Sequence, residues 1–362
     1  MKKIYFYINN LGKGGAERVI IQLADKFQSA GYNVKIITSF KAQDEHVLPQ
    51  NIIRVNLETR QDFGSRLKRN IKLILKLRRI IKEDRPDILI SFMQEPNFRA
   101  ILSTVGMKVC NIVSVRNDPN KEYAGLIGKI VGRYVLPLAD GCVFQTEQAQ
   151  SWFPTNLQNK STIIYNEVSE NFFLANYTPK KNIVAVGRLS EQKNHKLLIQ
   201  SFYRIANEFL DRNLYIYGDG VLKKELENLI NKLGLHNRVY LMGTSNDIPD
   251  ILEEAELFVL SSDYEGMPNA LLEALAVGVP SISTNCPSGG PELLISQNVN
   301  GILVPVGDSL QLSIAMRKIL SDDILKQKLS QNAKILAEGY RPSSVFQKWE
   351  SYINKIIDKV QK

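Results

Sequence analysis

The sequence predicts an α/β protein built from two doubly wound, Rossmann-like domains. Three observations carry this. A chain of 362 residues is long for one hydrophobic core. Short β-rich runs alternate with helical stretches, the mark of parallel βαβ units. The alternation stops once, over a polar stretch, and then begins again.

The first half opens with IYFYI, a helix over 15–30, VKIITS, IIRVNL, a long helix near 65–83, ILISF, NIVSV, a helix near 122–136, CVFQT and TIIYN. NEVSENFFLANYTPKKN then reads as a linker and sets a seam near 167–181. The pattern restarts with IVAVG, LYIYG, VYLMG, LFVLSS, SISTN and GILV. Residues 1–166 and 181–341 are therefore the expected domains. The final stretch, SSVFQKWESYINKIIDKV, repeats Phe346, Trp349, Tyr352, Ile353 and Ile356 at helical spacing, so its aromatic stripe reads as core.

Composition narrows the class. MKKIYFYINN has too short an apolar run for a signal peptide, and no run approaches the roughly 20 apolar residues that span a bilayer. The expectation is a cytosolic protein. Cys110, Cys142 and Cys286 are odd in number and widely spaced, which supports neither a disulfide framework nor a zinc site and suggests buried thiols. The net charge of +9 is uneven: residues 1–166 hold 25 Lys and Arg against 14 Asp and Glu, a balance of +11, and the remainder hold 21 against 23, or −2. The basic half favours an anionic partner, nucleic acid or a membrane surface. Nothing resembles a base-reading module and the second half is not basic, which disfavours nucleic acid.

In doubly wound sheets ligands bind beyond the carboxyl ends of the strands. Gly12, Gly14 and Gly15, Gly187, Gly218 with Gly220, Gly243 and Gly266 all sit at such ends, which places the expected site in a cleft between the domains. ALLEALAV, residues 270–277, is apolar on every face except at Glu273, and an all-round apolar helix is a buried one. A buried carboxylate costs several kcal/mol unless hydrogen-bonded. Glu273 therefore reads as facing a polar ligand such as a pair of ribose hydroxyls. Gly266, Met267, Pro268 and Asn269 make a tight entry to that helix, whose first amides suit an anion. Glu265 precedes the turn and projects into the same space. After IVAVG come Arg188 and Lys193, a fork and a point charge fit for a diphosphate.

GGAE at 14–17, GRLSEQKN from Gly187, GDG at 218–220 and EGMPNALLEALAVGVP from Glu265 resemble, in order and spacing, the family 4 glycosyltransferases of the two-domain GT-B fold. The likeness covers essentially the whole chain. It implies a retaining enzyme that takes a sugar from a nucleotide donor, and SVRNDP with the basic first half looks most like bacterial members that build capsule or lipid-linked glycans. Carried over by position, it implies that Arg188 and Lys193 bind the diphosphate, Glu273 the ribose and Glu265 the donor sugar. Amides of Met267, Pro268, Asn269 and Ala270 would meet sugar and phosphate. Gly14 and Gly15 would close over the phosphates, and Gly218 and Gly243 would frame the base. The terminal helix, about 342–362, would pack on the first domain. Breaking a glycosyl phosphate bond builds charge on the departing diphosphate, which cations and amide dipoles stabilise. No D-x-D sequence occurs, so transfer without a metal or other cofactor is expected.

One position departs from the family. Many relatives carry a histidine where IVSVRNDP places Arg116, and His46, His195 and His236 do not fill it. Arg116 cannot act as a base, because its guanidinium stays protonated; it would bind sugar hydroxyls or acceptor phosphate, with Asn117 adjacent. Asp118 stands open between two roles, accepting the acceptor proton or capping the helix expected over 122–136.

RLKRNIKLILKLRRIIKEDR, residues 66–85, has nine basic and two acidic residues. Lys68, Arg69, Lys72, Lys76 and Arg79 share one third of the helical wheel, and Leu67, Ile71, Leu73, Ile74, Leu77, Ile80 and Ile81 cover most of the rest. Either this is a domain helix with a solvated charged face, or the cations meet anionic headgroups or the pyrophosphate of a polyprenyl-linked acceptor. The leading expectation is a transferase that moves a sugar from a UDP-sugar to a lipid-linked glycan, cytoplasmic and peripheral to the inner membrane face. A nucleotide-sugar epimerase of related fold and a non-catalytic membrane-associated scaffold are the alternatives. A glycosidase carboxylate pair at Glu265 and Glu273 is disfavoured, as is a nicotinamide dehydrogenase, because Glu17 stands where the dinucleotide fingerprint needs glycine.

Overall fold

All thirteen apolar runs named above form strands, and each pairs in parallel with its neighbours in one of two sheets. The computed structural model describes residues 2–58, 65–287 and 289–360. The chain divides into two compact units, residues 1–166 with 343–362 and residues 167–342.

The first unit runs β1 (Lys3–Ile8), α1 (Gly15–Ser29), β2 (Asn33–Thr38), β3 (Ile53–Asn56), α2 (Arg66–Asp84), β4 (Ile88–Phe92), α3 (Gln94–Thr104), β5 (Cys110–Ser114), α4 (Pro119–Glu122), α5 (Gly125–Ile130), β6 (Gly141–Phe144), α6 (Glu147–Ser151), α7 (Thr155–Gln158) and β7 (Ser161–Ile163). Its sheet order is β3-β2-β1-β4-β5-β6-β7. Phe6 on β1 lies between Ile36 on β2 and Ile90 on β4, and all three are fully buried. Helices cover both faces of such a sheet, which is why its strands read as continuous apolar runs rather than alternating ones.

The second unit runs α8 (Glu170–Phe173), β8 (Asn182–Val186), α9 (His195–Ile205), β9 (Asn213–Tyr217), α10 (Lys223–Lys232), β10 (Val239–Gly243), α11 (Ile248–Glu253), β11 (Ala255–Leu260), α12 (Asn269–Val277), β12 (Ser281–Thr284), α13 (Gly290–Leu294), β13 (Ile302–Val304), α14 (Ser309–Leu320) and α15 (Asp323–Ala337). The sheet order is β10-β9-β8-β11-β12-β13. Strand order reverses between β1 and β4 in one unit and between β8 and β11 in the other. At these switch points the loops leaving adjacent strands diverge and leave a crevice.

The last helix, α16 (Pro342–Val360), belongs with the first unit. Trp349 is fully buried and stacks on Phe92 at 6.0 Å, and Phe346 meets Phe27 at 4.9 Å. The Tyr352 hydroxyl receives the Cys142 amide at 2.9 Å and donates to the Lys160 carbonyl at 2.5 Å, so a polar tip is satisfied where the ring is buried. Cys110, Cys142 and Cys286 are free and buried; burial pushes the Cys110 thiol up to about 11 and Cys286 to about 12.

Two expected elements differ. The linker expected at 167–181 is part of the second unit: Val168 N–H bonds to the Tyr340 carbonyl at 3.0 Å, Phe172 is buried, and the Thr178 and Lys180 amides donate to the Glu253 and Glu254 carbonyls. These partners are 74 to 172 residues away in sequence, so local polarity hid them. The single helix expected over 122–136 is broken. Gly125, the first residue of α5, takes φ +73°, a π turn over Val131–Val135 follows, and a 3-10 turn at Leu136–Leu138 carries Pro137.

Trp349→Ala removes the largest side chain of the first unit's core and is expected to cost about 3–5 kcal/mol. Equilibrium urea unfolding checks it; a loss below about 1 kcal/mol would mean that α16 does not complete this core.

Candidate active site

In the second unit the structure joins two loops that the sequence holds far apart. After β8 the chain passes Gly187 and Arg188 into a short 3-10 turn, Glu191–Lys193. Asn194 then takes a left-handed conformation, caps α9 by accepting the Leu197 amide at 3.1 Å, and donates to Asp263 at 2.7 Å. After β11, Ser261 donates to the Lys193 carbonyl at 2.9 Å, and the Asp263 amide donates to the Gln192 carbonyl at 2.9 Å. At the centre, Lys193 Nζ lies 2.5 Å from Glu265 Oε1, which also accepts from Ser262 Oγ at 2.7 Å. Glu265 is 6% exposed. Lys193 and Glu265, assigned separately to diphosphate and sugar, thus share one buried cluster.

Glycines set how closely this cluster packs. Gly218 has φ +146°, and a Cβ there would stand 2.0 Å from the Gly187 carbonyl oxygen. Its amide donates to the Gly243 carbonyl at 2.8 Å, so the ends of β8, β9 and β10 meet. On the other side, a Cβ on Gly290 would stand 1.7 Å from the Gly266 carbonyl oxygen, so the start of α13 presses on the turn into α12. His195, 4% exposed, is held down to about 4 by burial, and its Nε2 lies 3.3 Å from the Gly187 carbonyl oxygen. A neutral imidazole therefore donates to and braces the loop that carries Arg188. Arg188 is exposed, and its guanidinium has no hydrogen-bond or ion-pair partner among the described residues.

Glu273 lies mid-way along α12 and is 5% exposed, as its apolar setting predicts. The entry to α12 corrects the expected amide set. Pro268 has no N–H and serves as the N-cap, so it shapes the turn but donates nothing. Ala270 and Leu271 belong to the first helical turn, whose N–H groups point out along the axis and make that end partly positive.

In the first unit, Gly14 is the N-cap of α1 and its amide turns back to the Gly12 carbonyl at 2.7 Å, with exposed Gly15 opening the helix. What holds this loop lies some thirty residues further on and carried no sequence signal. Glu45 accepts the Leu11 amide at 3.3 Å, the Ala42 amide at 2.7 Å and Arg54 at 2.5 and 3.0 Å, and His46 Nε2 lies 3.2 Å from the Gly14 carbonyl oxygen. Burial raises the Glu45 carboxyl, but the Arg54 and amide hydrogen bonds outweigh it and hold the group at about 2.

Arg116 follows β5. It is buried, packs over the Phe92 ring at 4.7 Å and donates to Asn166. Burial pulls its guanidinium down to about 9, against the pull of Glu122, so it remains a cation at neutral pH. Asp118 accepts the Asn120 amide at 3.0 Å and caps α4. The geometry displays a cap, on the short α4 rather than on a helix over 122–136. On α2, four of the five grouped cations are engaged by the chain itself: Arg69 and Lys72 face buried Glu58 at 3.6 and 3.0 Å, Lys76 donates to the Leu57 carbonyl at 2.6 Å, and Arg79 pairs with Glu83 at 2.8 Å. Lys68 has no such contact among the described residues, and a helical wheel cannot show that Glu58 lies opposite Arg69 and Lys72.

Among the described residues no three His, Cys, Asp or Glu converge as a metal site, and no helix is long and apolar enough to cross a membrane.

Glu45 yields a pH test. A carboxyl depressed in the folded state adds stability that is complete above its unfolded value near 4.5 and is lost as pH falls toward about 2. Urea midpoints should fall over that window in the wild type and less steeply in Glu45→Gln. Equal slopes would mean that the carboxylate does not hold the glycine loop.

Comparison with known proteins gives the same two-part division. The family model for glycosyltransferase family 4 matches residues 13–171, and that for glycosyl transferases group 1 matches residues 169–335. An uncharacterized glycosyltransferase of Methanocaldococcus jannaschii is 30% identical over 79% of this chain and 84% of its own length. The N-acetylgalactosamine-N,N'-diacetylbacillosaminyl-diphospho-undecaprenol 4-alpha-N-acetylgalactosaminyltransferase of Campylobacter jejuni is 29% identical over 94% of this chain and 96% of its own. Anabaena HepE, crystallised with UDP and glucose, shares the fold with a TM-score of 0.81 at 19% identity, over 98% of this chain and 100% of that one. With two Rossmann-like sheets, the glycine-lined strand ends and the buried lysine–glutamate cluster all in place, the chain belongs to the family 4 glycosyltransferases of the GT-B fold.

Proposed function

We propose that this glycosyltransferase is a retaining, metal-independent enzyme that transfers a sugar from a UDP-sugar to a polyprenyl-diphosphate-linked glycan at an anionic membrane surface, in the synthesis of a bacterial surface polysaccharide. The observation that carries the reading is the buried Lys193–Glu265 pair beside the start of α12. The UDP complex of the Anabaena neighbour supports the donor class, and the Campylobacter relative's diphospho-undecaprenol substrate supports the acceptor class.

Each group has a task on this reading. Cleaving the bond between the sugar C1 and the diphosphate oxygen leaves the electron pair, and a growing negative charge, on the diphosphate. Lys193, held by Glu265, and the positive end of α12 meet that charge without reorganising, and the exposed Arg188 closes onto it. Lys193 retains two N–H donors beyond the one it gives Glu265. Glu265 has a second oxygen for a sugar hydroxyl, and Glu273 accepts from the ribose. Stabilisation by fixed cations and amides replaces a divalent clamp, in keeping with a sequence that lacks D-x-D. Arg116 holds the acceptor side through hydroxyl or phosphate contacts, and Lys68 on α2 faces the anionic surface.

Thermal unfolding of the purified chain with UDP, GDP or ADP, each with EDTA present, tests this. At a hundredfold excess over Kd a ligand adds roughly 2.7 kcal/mol of stability, so UDP should raise Tm by several degrees in EDTA and should do so far less for Glu273→Ala. A larger shift with GDP or ADP would overturn the donor class. Loss of the shift in EDTA would overturn metal independence.

A further inference from the structure

GLIGKIVGRYVLPL, residues 125–138, carries apolar side chains on the side of the segment that faces solvent. Leu126, Ile130, Tyr134 and Leu138 recur every four residues and are 77%, 46%, 64% and 64% exposed, with Ile127 at 78%. Four-residue steps drift by about 40° each on an α-helix, and the wider π turn over Val131–Val135 takes up part of that drift. The four side chains therefore stay on one side as a ridge.

The inner side already has its partners. Gly128, Val131, Gly132, Leu136 and Pro137 are buried. A Cβ on Gly128 would stand 2.5 Å from the Tyr123 backbone, and one on Gly132 would stand 2.8 Å from the Trp152 ring, so the segment is seated backbone-close on its own unit. The ridge is thus surplus to the core. Single exposed apolar residues are ordinary, but five within thirteen residues form a patch of the kind that marks a contact surface.

Charge selects the occupant. Lys129 and Arg133 are exposed beside the ridge, and the one acid within 119–138 is Glu122, whose Oε2 is buried and whose Oε1 accepts the Gln94 amide. α2 repeats the chemistry: it buries only Leu73, Leu77 and Ile81, and leaves Leu67, Ile71 and Leu75 70%, 51% and 61% exposed beside Lys68, with Lys72 paired to Glu58. α3 touches both elements, bonded to α2 through Arg78 to the Ser103 and Val105 carbonyls and through Arg99 to Asn70, and packed against the 131–138 turns. Two like-charged copies of such a surface repel each other. Anionic headgroups neutralise the cations and let the apolar side chains reach the acyl boundary.

We propose that residues 126–138 insert into the interface of an anionic phospholipid bilayer and dock the first unit on it, with the exposed face of α2 alongside. The inference rests on the membrane-surface reading above and names the element that inserts.

Flotation of the full chain with phosphatidylcholine vesicles, with and without about one third phosphatidylglycerol, tests it at low salt and at roughly 0.5 M salt, where charges are screened within a few ångströms. The wild type should bind anionic vesicles and keep a salt-resistant fraction. Leu126→Ser combined with Ile127→Ser and Ile130→Ser should lower that fraction at least tenfold, with Tm and the UDP shift unchanged. Lys68→Gln should weaken only the salt-sensitive part. The Tyr134→Trp variant should shift its emission to the blue on binding and be quenched by chain-labelled lipid. If the triple variant binds as the wild type does at both salts, or the emission of the Tyr134→Trp variant stays unshifted, the ridge does not insert, while binding weakened by Lys68→Gln would still uphold the membrane surface. If the wild type binds no vesicle, both fall.

Discussion

A buried glutamate carboxylate needs donors, and Glu265 has the half-buried Lys193 ammonium at 2.5 Å and the Ser262 hydroxyl at 2.7 Å. Taking the lysine away leaves a buried carboxylate with only Ser262 and a long Gln192 bond to meet it. Lys193 and Glu265 are 72 residues apart, yet they fix the loop after β8 to the loop after β11. Those strands are neighbours at the switch point of the sheet, where the loops would otherwise diverge. The pair closes the floor of that crevice, and the serine, asparagine and glutamine bonds around it set where α9 and α12 begin. Gly218 and Gly290 then let the adjoining loops approach within distances no other residue permits. The positions of Arg188, the α12 entry and Glu273 all follow from this junction.

The strands were legible because a parallel sheet covered on both faces needs unbroken apolar runs, and few other elements do. Glu273 was legible for a related reason, since a lone carboxylate in ALLEALAV contradicts its surroundings. What escaped depends on partners distant in sequence. The polar stretch at 167–181 is anchored by Tyr340, Glu253 and Glu254, and the glycine loop after β1 is held by Glu45 and Arg54. Helical periodicity likewise shows that α2 has a broad apolar side, but not how much of it a neighbour covers. The structure buries three of those residues and leaves Leu67, Ile71 and Leu75 outside. Asp118 reads two ways in the sequence, and its bond to the Asn120 amide shows the cap.

Charge and chemistry divide between the two units. The second unit, with a net charge of −4, concentrates a few buried charges where, on the proposed function, a diphosphate would depart. The first, counted with its terminal helix, carries an excess of +13, much of it on α2, where Glu58 and backbone carbonyls absorb part of it. An enzyme of this family working on a lipid-linked acceptor has to meet a soluble nucleotide and a surface-bound substrate at once. On the proposed function, the lysine–glutamate junction beside the start of α12 on one sheet and a basic, partly apolar exterior on the other suit those two demands.

The most direct test of the central claim is calorimetric titration of UDP into the wild type, Lys193→Ala and Glu265→Gln. If the junction is the donor site, Lys193→Ala should weaken UDP at least tenfold, a loss of about 1.4 kcal/mol or more. Glu265→Gln should hold UDP within a few-fold while sugar transfer falls. UDP affinity unchanged in Lys193→Ala would contradict the account, because the lysine would then serve the fold alone.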